Sequence, residues 1–118
     1  MGTVTVTIGV GDPGGQLFEE LEVEVDTGST FTAVPRELLR RLGVPVTRSA
    51  LASLADGSSA PVDIGQAVIR LEGQEFTTQV IFAEEGEPSL LGVVTLEEAL
   101  LAVDPVAGRL IPTIAKRY

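Results

Sequence analysis

The tetrapeptide Asp26-Thr27-Gly28-Ser29 holds the residues of this chain that are best suited to chemistry. It follows the alternating segment Val23-Glu24-Val25, so the Asp26 carboxylate comes at the end of a predicted strand. A hydroxyl and a glycine after an aspartate are good turn residues, and a carboxylate held there is a candidate general acid or base. Asp-Thr-Gly occurs once in this chain, and chance alone would place it in roughly a few per cent of chains this long. The motif therefore needs support from its surroundings.

The composition excludes most other catalytic groups. The 118 residues include no Cys and no His, so the chain cannot form Ser-His or Cys-His nucleophiles, Cys/His zinc sites or disulfides. Acid–base chemistry near neutral pH would have to use carboxylates, Lys, Tyr or a bound water. We expect no metal and no cofactor.

Charge and hydropathy limit the possible partners. The net charge is −9 and the pI is near 4.3, whereas a nucleic-acid-binding surface needs clustered Lys and Arg. No apolar run approaches the ~20 residues of a membrane span. The start of the chain, Met1-Gly2-Thr3-Val4-Thr5, lacks the charged and apolar regions of a signal peptide. We therefore predict a cytoplasmic protein with no nucleic-acid and no membrane partner.

A hairpin is predicted to position Asp26. Residues 3–10 alternate hydroxyl and aliphatic side chains, and Gly-Asp-Pro-Gly-Gly at 11–15 is a strong turn signal. Leu21, Val23 and Val25 then alternate with glutamates, which predicts a second strand with one wet acidic face. This second strand ends at the aspartate.

A short helix is predicted after the motif. Pro35 at its first position and Gly43 just past its last turn are typical helix boundaries. The predicted buried face consists of Leu38, Leu39 and Leu42, and the predicted solvent face of Arg36, Arg40 and Arg41.

The second half of the chain predicts hairpins and another helix. Ala55-Asp56-Gly57-Ser58-Ser59 is typical of a hairpin tip, flanked by strands at 51–54 and 60–64. Further strands are predicted at 66–71, 76–82 and 109–111, with a surface loop at 84–88.

A helix is predicted at 95–102, with Thr95 as N-cap and Glu98 at the capping-box position. Its predicted core stripe is Leu96, Leu100 and Leu101, and a frayed tail is predicted at Lys116, Arg117 and Tyr118. Residues 1–118 are predicted to form one domain.

This order of elements resembles the retropepsin-like aspartic proteases, in particular the free-standing bacterial and archaeal members. The resemblance runs from about Val4 to Pro112, and it rests on Asp26-Thr27-Gly28-Ser29 and on Leu90-Leu91-Gly92 before a second helix. It implies an all-β, closed, barrel-like fold with one or two short helices. It also implies an aspartic endopeptidase that acts on peptides or proteins as a homodimer.

The resemblance further implies roles for individual residues. Asp26 would be the catalytic aspartate, and the Thr27 hydroxyl would reach the partner chain's loop. Gly28 would allow the tight turn, and Ser29 would hydrogen-bond the outer carboxylate oxygen. The flap over the substrate would span residues 54–60, with Ala55, Asp56, Gly57 and Ser58 at its tip. Aliphatic residues around Ala33, Ile81 and Leu91 would line the substrate pockets.

Peptide hydrolysis by this chemistry needs two carboxylates. Two carboxylates about 3 Å apart cannot easily both ionise, so one stays protonated as acid while the other acts as base. Asp63-Ile64-Gly65 is a poor second motif because it lacks the hydroxyl and the following helix. We therefore expect a twofold dimer in which each chain supplies one Asp26.

Some features depart from the family pattern. Retroviral flaps are rich in glycine, whereas this tip reads Asp-Gly-Ser-Ser, and Val93-Val94 stands where retroviral enzymes often carry Arg-Asn. The segment after the second helix is also long, so the terminal strands would pair differently.

The Asp26 segment and the glycines before it also have other interpretations. Val23 to Thr27 is similar to the nucleophile loop of haloacid-dehalogenase-type phosphatases, but Glu24 replaces the second aspartate and those domains are larger. The glycines at 9–15 lack the lysine and helix of a P-loop and are interpreted as turns. The main alternative is that Asp26 only stabilises a turn, in a non-catalytic dimerisation or peptide-binding module on the same fold.

Overall fold

The computed structural model describes residues 3–117. Met1 and Gly2 of the N-terminal segment and Tyr118 of the predicted tail lie outside this range. The strands in the described range are β1 (Thr5–Gly11), β2 (Phe18–Val25), β3 (Thr32–Pro35), β4 (Val46–Ser53), β5 (Ser59–Leu71), β6 (Gln74–Ala83), β7 (Leu90–Leu91), β8 (Leu101–Asp104) and β9 (Arg109–Pro112). The helices are α1 (Arg36–Arg41) and α2 (Val93–Glu98).

Six strands close into a ring, which confirms the predicted barrel-like all-β fold. The pairs run from β1 to β2, β7, β3, β6 and β5, and β5 then pairs back onto β1. The closure is narrow, because β1 meets β5 only over Gly9–Gly11 and β7 has two residues. Strand β4 lies outside the ring on the edge of β5, while β8 and β9 form a separate two-stranded sheet.

The core fills the ring with aliphatic side chains. Alternation along the strands places residues such as Ile8, Val10 and Val23 inside, each at most 1% exposed. The predicted face of α1 is buried, with Leu38, Leu39 and Leu42 all in the core cluster. Among the described residues, no helix has the length and apolar character that crossing a membrane requires.

The strand predicted in two pieces at 60–64 and 66–71 is one continuous strand, β5. Gly65 does not interrupt it. Instead, a Cβ on Gly65 would lie 2.6 Å from the Pro45 carbonyl oxygen and 2.9 Å from the Phe82 ring. The glycine is therefore explained by the close approach of two neighbouring segments.

The second helix differs from its prediction. It begins at Val93 and ends at Glu98, Gly92 is its N-cap residue, and no side chain caps it. Thr95 is instead fully buried inside the helix, and the Glu98 carboxylate accepts a bond from the Thr78 hydroxyl. The predicted N-cap and capping box were therefore wrong.

The helix also ends earlier than its apolar pattern indicated. Leu100 adopts a positive φ of 56° and is 41% exposed, so it does not belong to the core stripe. The chain then enters β8, where pairing with β9 satisfies the backbone groups that a longer helix would have used. Leu96 and Leu101 are buried, as predicted.

Arg36 joins three separate parts of the fold. Its Nη2 atom lies 2.8 Å from Asp63 Oδ2 on β5 and 2.8 Å from Glu84 Oε2 in the loop after β6. Its guanidinium also stacks over the Phe82 ring, 5.1 Å from the centroid. Arg40 and Arg41 are exposed as predicted, whereas Arg36 is held between carboxylates.

We predict that the contribution of Arg36 to stability falls in acid. Hydrogen bonds from Arg36 lower the pKa of both Asp63 and Glu84 from their ordinary values. Carboxyl groups with a lowered pKa stabilise the fold above about pH 5, and this stabilisation is lost as the pH falls below about 4. The difference in urea midpoint between wild type and Arg36→Gln should therefore be largest near neutral pH and narrow on acidification.

The matched control is Arg40→Gln, because within residues 3–117 Arg40 pairs only with the exposed Glu37 on the same helix. Its effect on the midpoint should be small at every pH. A difference between wild type and Arg36→Gln that stays constant down to pH 3 would contradict the prediction.

Candidate active site

The Asp26 carboxylate is fixed at the point where β2 ends. The Asp26 backbone N–H donates to the Leu91 carbonyl at 3.0 Å, and the Asp26 carbonyl accepts from the Ser29 N–H at 3.1 Å. Its carboxylate oxygen Oδ1 accepts from the Gly28 N–H at 2.9 Å. Main-chain groups thus hold both the backbone and the side chain of this half-buried aspartate.

The residues after Asp26 have different environments. A Cβ on Gly28 would lie 3.2 Å from Asp26 Oδ1, so the glycine leaves room for the carboxylate. Thr27 is exposed. The Ser29 hydroxyl donates to the Phe31 carbonyl at 3.0 Å, so it supports the loop rather than the carboxylate oxygen that the resemblance implied.

Strand β7 anchors this loop from the second half of the chain. It pairs in parallel with the end of β2, Val25 opposite Leu91, and antiparallel with β3, Ala33 opposite Leu90. Directly afterwards, a Cβ on Gly92 would lie 2.4 Å from the carbonyl carbon and oxygen of Phe31. Only a glycine allows the two segments to approach this closely.

The start of α2 supports the same loop through hydrogen bonds. The first N–H groups of a helix have no partner within the helix. Here the Val93 N–H donates to the Ser29 carbonyl at 2.8 Å, and the Val94 N–H donates to the Thr30 carbonyl at 3.1 Å. The loop and the helix therefore satisfy each other's backbone groups.

Buried threonine hydroxyls form a connected chain beneath the site. The Gly92 N–H donates to Thr32 Oγ1 at 3.1 Å, Thr32 contacts Thr95 at 2.6 Å, and Thr95 contacts Thr78 at 3.2 Å. Thr78 then donates to the Glu98 carboxylate. The Gly92 N–H can only donate, and the Glu98 carboxylate accepts at the other end. Each threonine hydroxyl between them therefore donates its hydrogen to the next group towards Glu98.

These hydrogen-bonded threonines were not predicted from the sequence. Thr32 stands in an otherwise apolar segment between Phe31 and Ala33, which was the one available signal. The partners Thr78 and Thr95 come from β6 and α2, so only the tertiary structure brings the hydroxyls together.

A cleft of about 430 Å³ lies between the loop at residues 26–31, named here the active-site loop for the candidate Asp26, and the β4–β5 hairpin. It is lined by Gly28, Ser29, Thr30, Phe31, Ala50, Leu51, Ala52, Ser53, Val62, Ile64 and Ile81. Ile81 is thus in the cleft, where it was predicted. Ala33 and Leu91 were predicted there too, but they are 9% and 0% exposed and lie in the core instead.

The predicted flap corresponds to the β4–β5 hairpin. Ala55, Asp56, Gly57 and Ser58 are exposed at its tip, and the stem supplies the cleft-lining residues of β4 and β5. The Asp56 carboxylate accepts from the Ser58 hydroxyl and N–H, and these bonds lower the pKa of Asp56. Asp56 therefore stabilises the turn.

Asp63 lies on the wrong face of β5 to serve as a second catalytic group. Its neighbours Val62 and Ile64 line the cleft, but Asp63 itself is bound to Arg36 and to the Ser49 hydroxyl. Within residues 3–117, no group of three or more His, Cys, Asp or Glu side chains is arranged to hold a metal ion.

A family model described as aspartyl protease matches residues 4–95 of the chain. This match includes the Asp26 loop, the flap hairpin and Leu90-Leu91-Gly92. The chain belongs to the aspartyl protease family. The match ends at the middle of α2, so the β8–β9 sheet lies beyond it.

Solved structures of retroviral-type proteases share the fold. The EIAV protease complexed with the inhibitor HBY-793 is 17% identical, with 83% of this chain and 88% of that chain covered and a TM-score of 0.62. The simian foamy virus (mac) protease is 16% identical, with coverages of 83% and 94% and a TM-score of 0.56.

The retroviral protease-like domain of Ddi1 from Leishmania major is 16% identical, with coverages of 95% and 89% and a TM-score of 0.59. No significant match was found among curated proteins. At these identities the structures show the fold alone. The family model confirms the predicted aspartic protease family, and the solved structures confirm the predicted retropepsin-like fold.

We predict that Gly92→Ala destabilises the aspartyl protease fold. The added methyl group would overlap the Phe31 carbonyl, so the active-site loop or β7 would have to move. The free energy of unfolding should fall by about 1–3 kcal/mol, measured by urea denaturation.

Gly14→Ala is the matched control, since a Cβ there meets only the Gln16 side chain at 3.8 Å. Its free energy of unfolding should change little. Equal effects of the two substitutions would show that the contact between Gly92 and Phe31 is not tight.

Proposed function

We propose that the protein is an aspartic endopeptidase, active as a homodimer in which each chain supplies Asp26. The observation that supports this most directly is the placement of the Asp26 carboxylate. It is held by the Gly28 N–H at the end of β2, in a loop whose next residues line a cleft. The family match and the shared fold support peptide hydrolysis as the reaction.

The proposed chemistry uses two Asp26 carboxylates that share one proton. The ionised carboxylate takes a proton from a bound water, and this water attacks the peptide carbonyl carbon. The protonated carboxylate gives its proton to the carbonyl oxygen, which yields a neutral tetrahedral diol. The C–N bond then breaks as the leaving nitrogen gains a proton and the diol loses one, which restores the starting state.

A second chain is needed because the other aspartates already have local roles. Asp12 accepts from the backbone N–H groups of Gln16 and Leu17, and Asp104 accepts from those of Val106 and Ala107. The carboxylates of Asp56 and Asp63 are bound to Ser58 and Arg36, as described above. In a twofold dimer the same residue of each copy can meet at the axis.

The surface beside the active-site loop is suited to being covered by a partner. Thr27 lies at the edge of a hollow of about 410 Å³ that is formed with α2, β8 and the residues directly after β9. Leu100 and Ile114, which line this hollow, are 41% and 94% exposed. A partner over this surface would bury apolar area and bring a second Thr27 and Asp26 close.

The proposed substrate is an extended peptide. It would lie between the flap hairpin and the Asp26 pair. Main-chain hydrogen bonds would hold most of it, as when an extended peptide adds a strand to the edge of a sheet. The cleft is lined by Val62, Ile64 and Ile81, so apolar substrate side chains would fit there. The proposed reaction needs no metal and no cofactor. The cytoplasmic location and the absence of a nucleic-acid partner stay predictions.

We predict that Asp26→Asn abolishes cleavage without unfolding the protein. The amide cannot act as base or share the proton, so cleavage of a peptide library should fall by about 10³-fold. The circular dichroism spectrum should be unchanged, because the amide oxygen can still accept from the Gly28 N–H.

Asp63→Asn is the matched control, and it should cleave at a rate close to that of the wild type. Equal cleavage by wild type and Asp26→Asn would refute the proposed reaction. If neither protein cleaves any peptide but both bind them, the non-catalytic peptide-binding module becomes the better interpretation.

A mixing experiment tests whether the active site is shared. Wild type and Asp26→Asn are unfolded together in equal amounts, refolded and assayed at constant total chain concentration. Since only wild-type pairs would carry two aspartates, about one quarter of the activity should remain. Retention of about one half would show that each chain works alone.

A further inference from the structure

We propose that Arg48 selects substrates that carry an acidic side chain at one position on each side of the cleaved bond. This inference rests on the proposed peptide-binding and cleaving function. It specifies a substrate class that the aliphatic cleft lining alone does not indicate.

The position of Arg48 on β4 places it on the cleft-facing side of the flap stem. It pairs across the strands with Ile64, and Ile64 pairs with Ile81 on β6. Cross-strand partners have side chains on the same face of a sheet. Ile64 and Ile81 both line the cleft, and so do Ala50 and Ala52, which share the Arg48 face of β4.

The guanidinium is held at the rim of the cleft by two neutral groups. Its central carbon lies 5.9 Å from the centroid of the Phe31 ring, and Phe31 lines the cleft next to the active-site loop. Its Nη2 atom donates to the Gln79 side-chain oxygen. Gln79 precedes Ile81 by two residues on β6, so it belongs to the same face.

No carboxylate neutralises this charge in the part of the chain that the structure describes. The other arginines before the β8–β9 sheet, Arg36, Arg40, Arg41 and Arg70, each form an ion pair. Arg48 forms none within residues 3–117, and the cleft lining contains no charged residue.

Because Arg48 forms no ion pair within residues 3–117, its guanidinium can form hydrogen bonds to a substrate carboxylate. The bond to Gln79 uses only part of its N–H donors, and the remainder can engage both oxygens of a carboxylate. The net charge of −9 disfavours uniformly acidic peptides, so the preference should be confined to the position beside Arg48. In a twofold dimer each half supplies one Arg48, and the preference should therefore appear on both sides of the cleaved bond.

The test compares peptides that differ only in Glu or Gln at each position along the bound segment. Wild type should cleave the Glu peptide about fivefold faster, as kcat/KM, at the two positions that face Arg48. This preference should shrink as salt is added. Arg48→Gln should lose the preference, so that its kcat/KM values for the Glu and Gln peptides become about equal, and Arg48→Glu should prefer Lys at the same positions.

The matched control is Arg40→Gln, which removes the same charge from the outer surface of α1 and should keep the preference. If Arg48 only stabilised the packing of β4 against Phe31, its replacement would change kcat/KM for the Glu and Gln peptides by the same factor. Such an equal effect would overturn the inference.

A binding assay separates this inference from the proposed reaction. Fluorescence anisotropy measures the affinity of labelled Glu and Gln peptides for Asp26→Asn and for the double variant with Arg48→Gln. Tighter binding of the Glu peptide that depends on Arg48, without cleavage by the wild type, would sustain the inference and refute the protease. Equal affinities of the two peptides, or binding of neither, would overturn it.

Discussion

The contact between Gly92 and the Phe31 carbonyl is the constraint on which the site depends. It lets β7 lie between β2 and β3 and pair with both of them. Once β7 is seated, the Leu91 carbonyl receives the Asp26 N–H, and the first turn of α2 bonds to the loop carbonyls. A short sequence, Leu90-Leu91-Gly92, therefore fixes the catalytic candidate from a distant part of the chain.

The polar groups beneath the loop are arranged to be fully satisfied. In the described residues, no buried side-chain nitrogen or oxygen lacks a hydrogen-bond partner. The chain from Gly92 through Thr32, Thr95 and Thr78 to Glu98 explains why hydroxyls occur in an aliphatic core. Because an unpaired buried hydroxyl is costly, this network favours one arrangement of α2, β3 and β6.

The Asp26 side chain and the cleft beside it differ in how they are held. The aspartate is held by main-chain bonds, whereas the flap tip is exposed and the cleft lies open beside it. Arg36 ties the stem of the flap hairpin to α1, and Arg48 stands on the opposite, cleft-facing side of the same stem. Alternation along β5 thus places Asp63, which binds the structural Arg36, and Ile64, which pairs with Arg48, on opposite faces of the strand.

The sequence by itself determined the opening hairpin, the Asp26 turn, the buried face of α1 and the hairpin tip at Asp56-Gly57, because alternation and turn residues act locally. It did not determine the end of α2 at Glu98, the burial of Ala33 and Leu91, or the bond from Ser29 to Phe31. These depend on which segments meet in space, and pairing with β9 or insertion of β7 outweighs local preference there. The threonine network was decided by tertiary structure alone, since its members are distant in sequence and meet only when β3, β6 and α2 pack together. The contacts of Arg48 with Phe31 and Gln79 were decided in the same way, because these residues belong to separate segments of the chain.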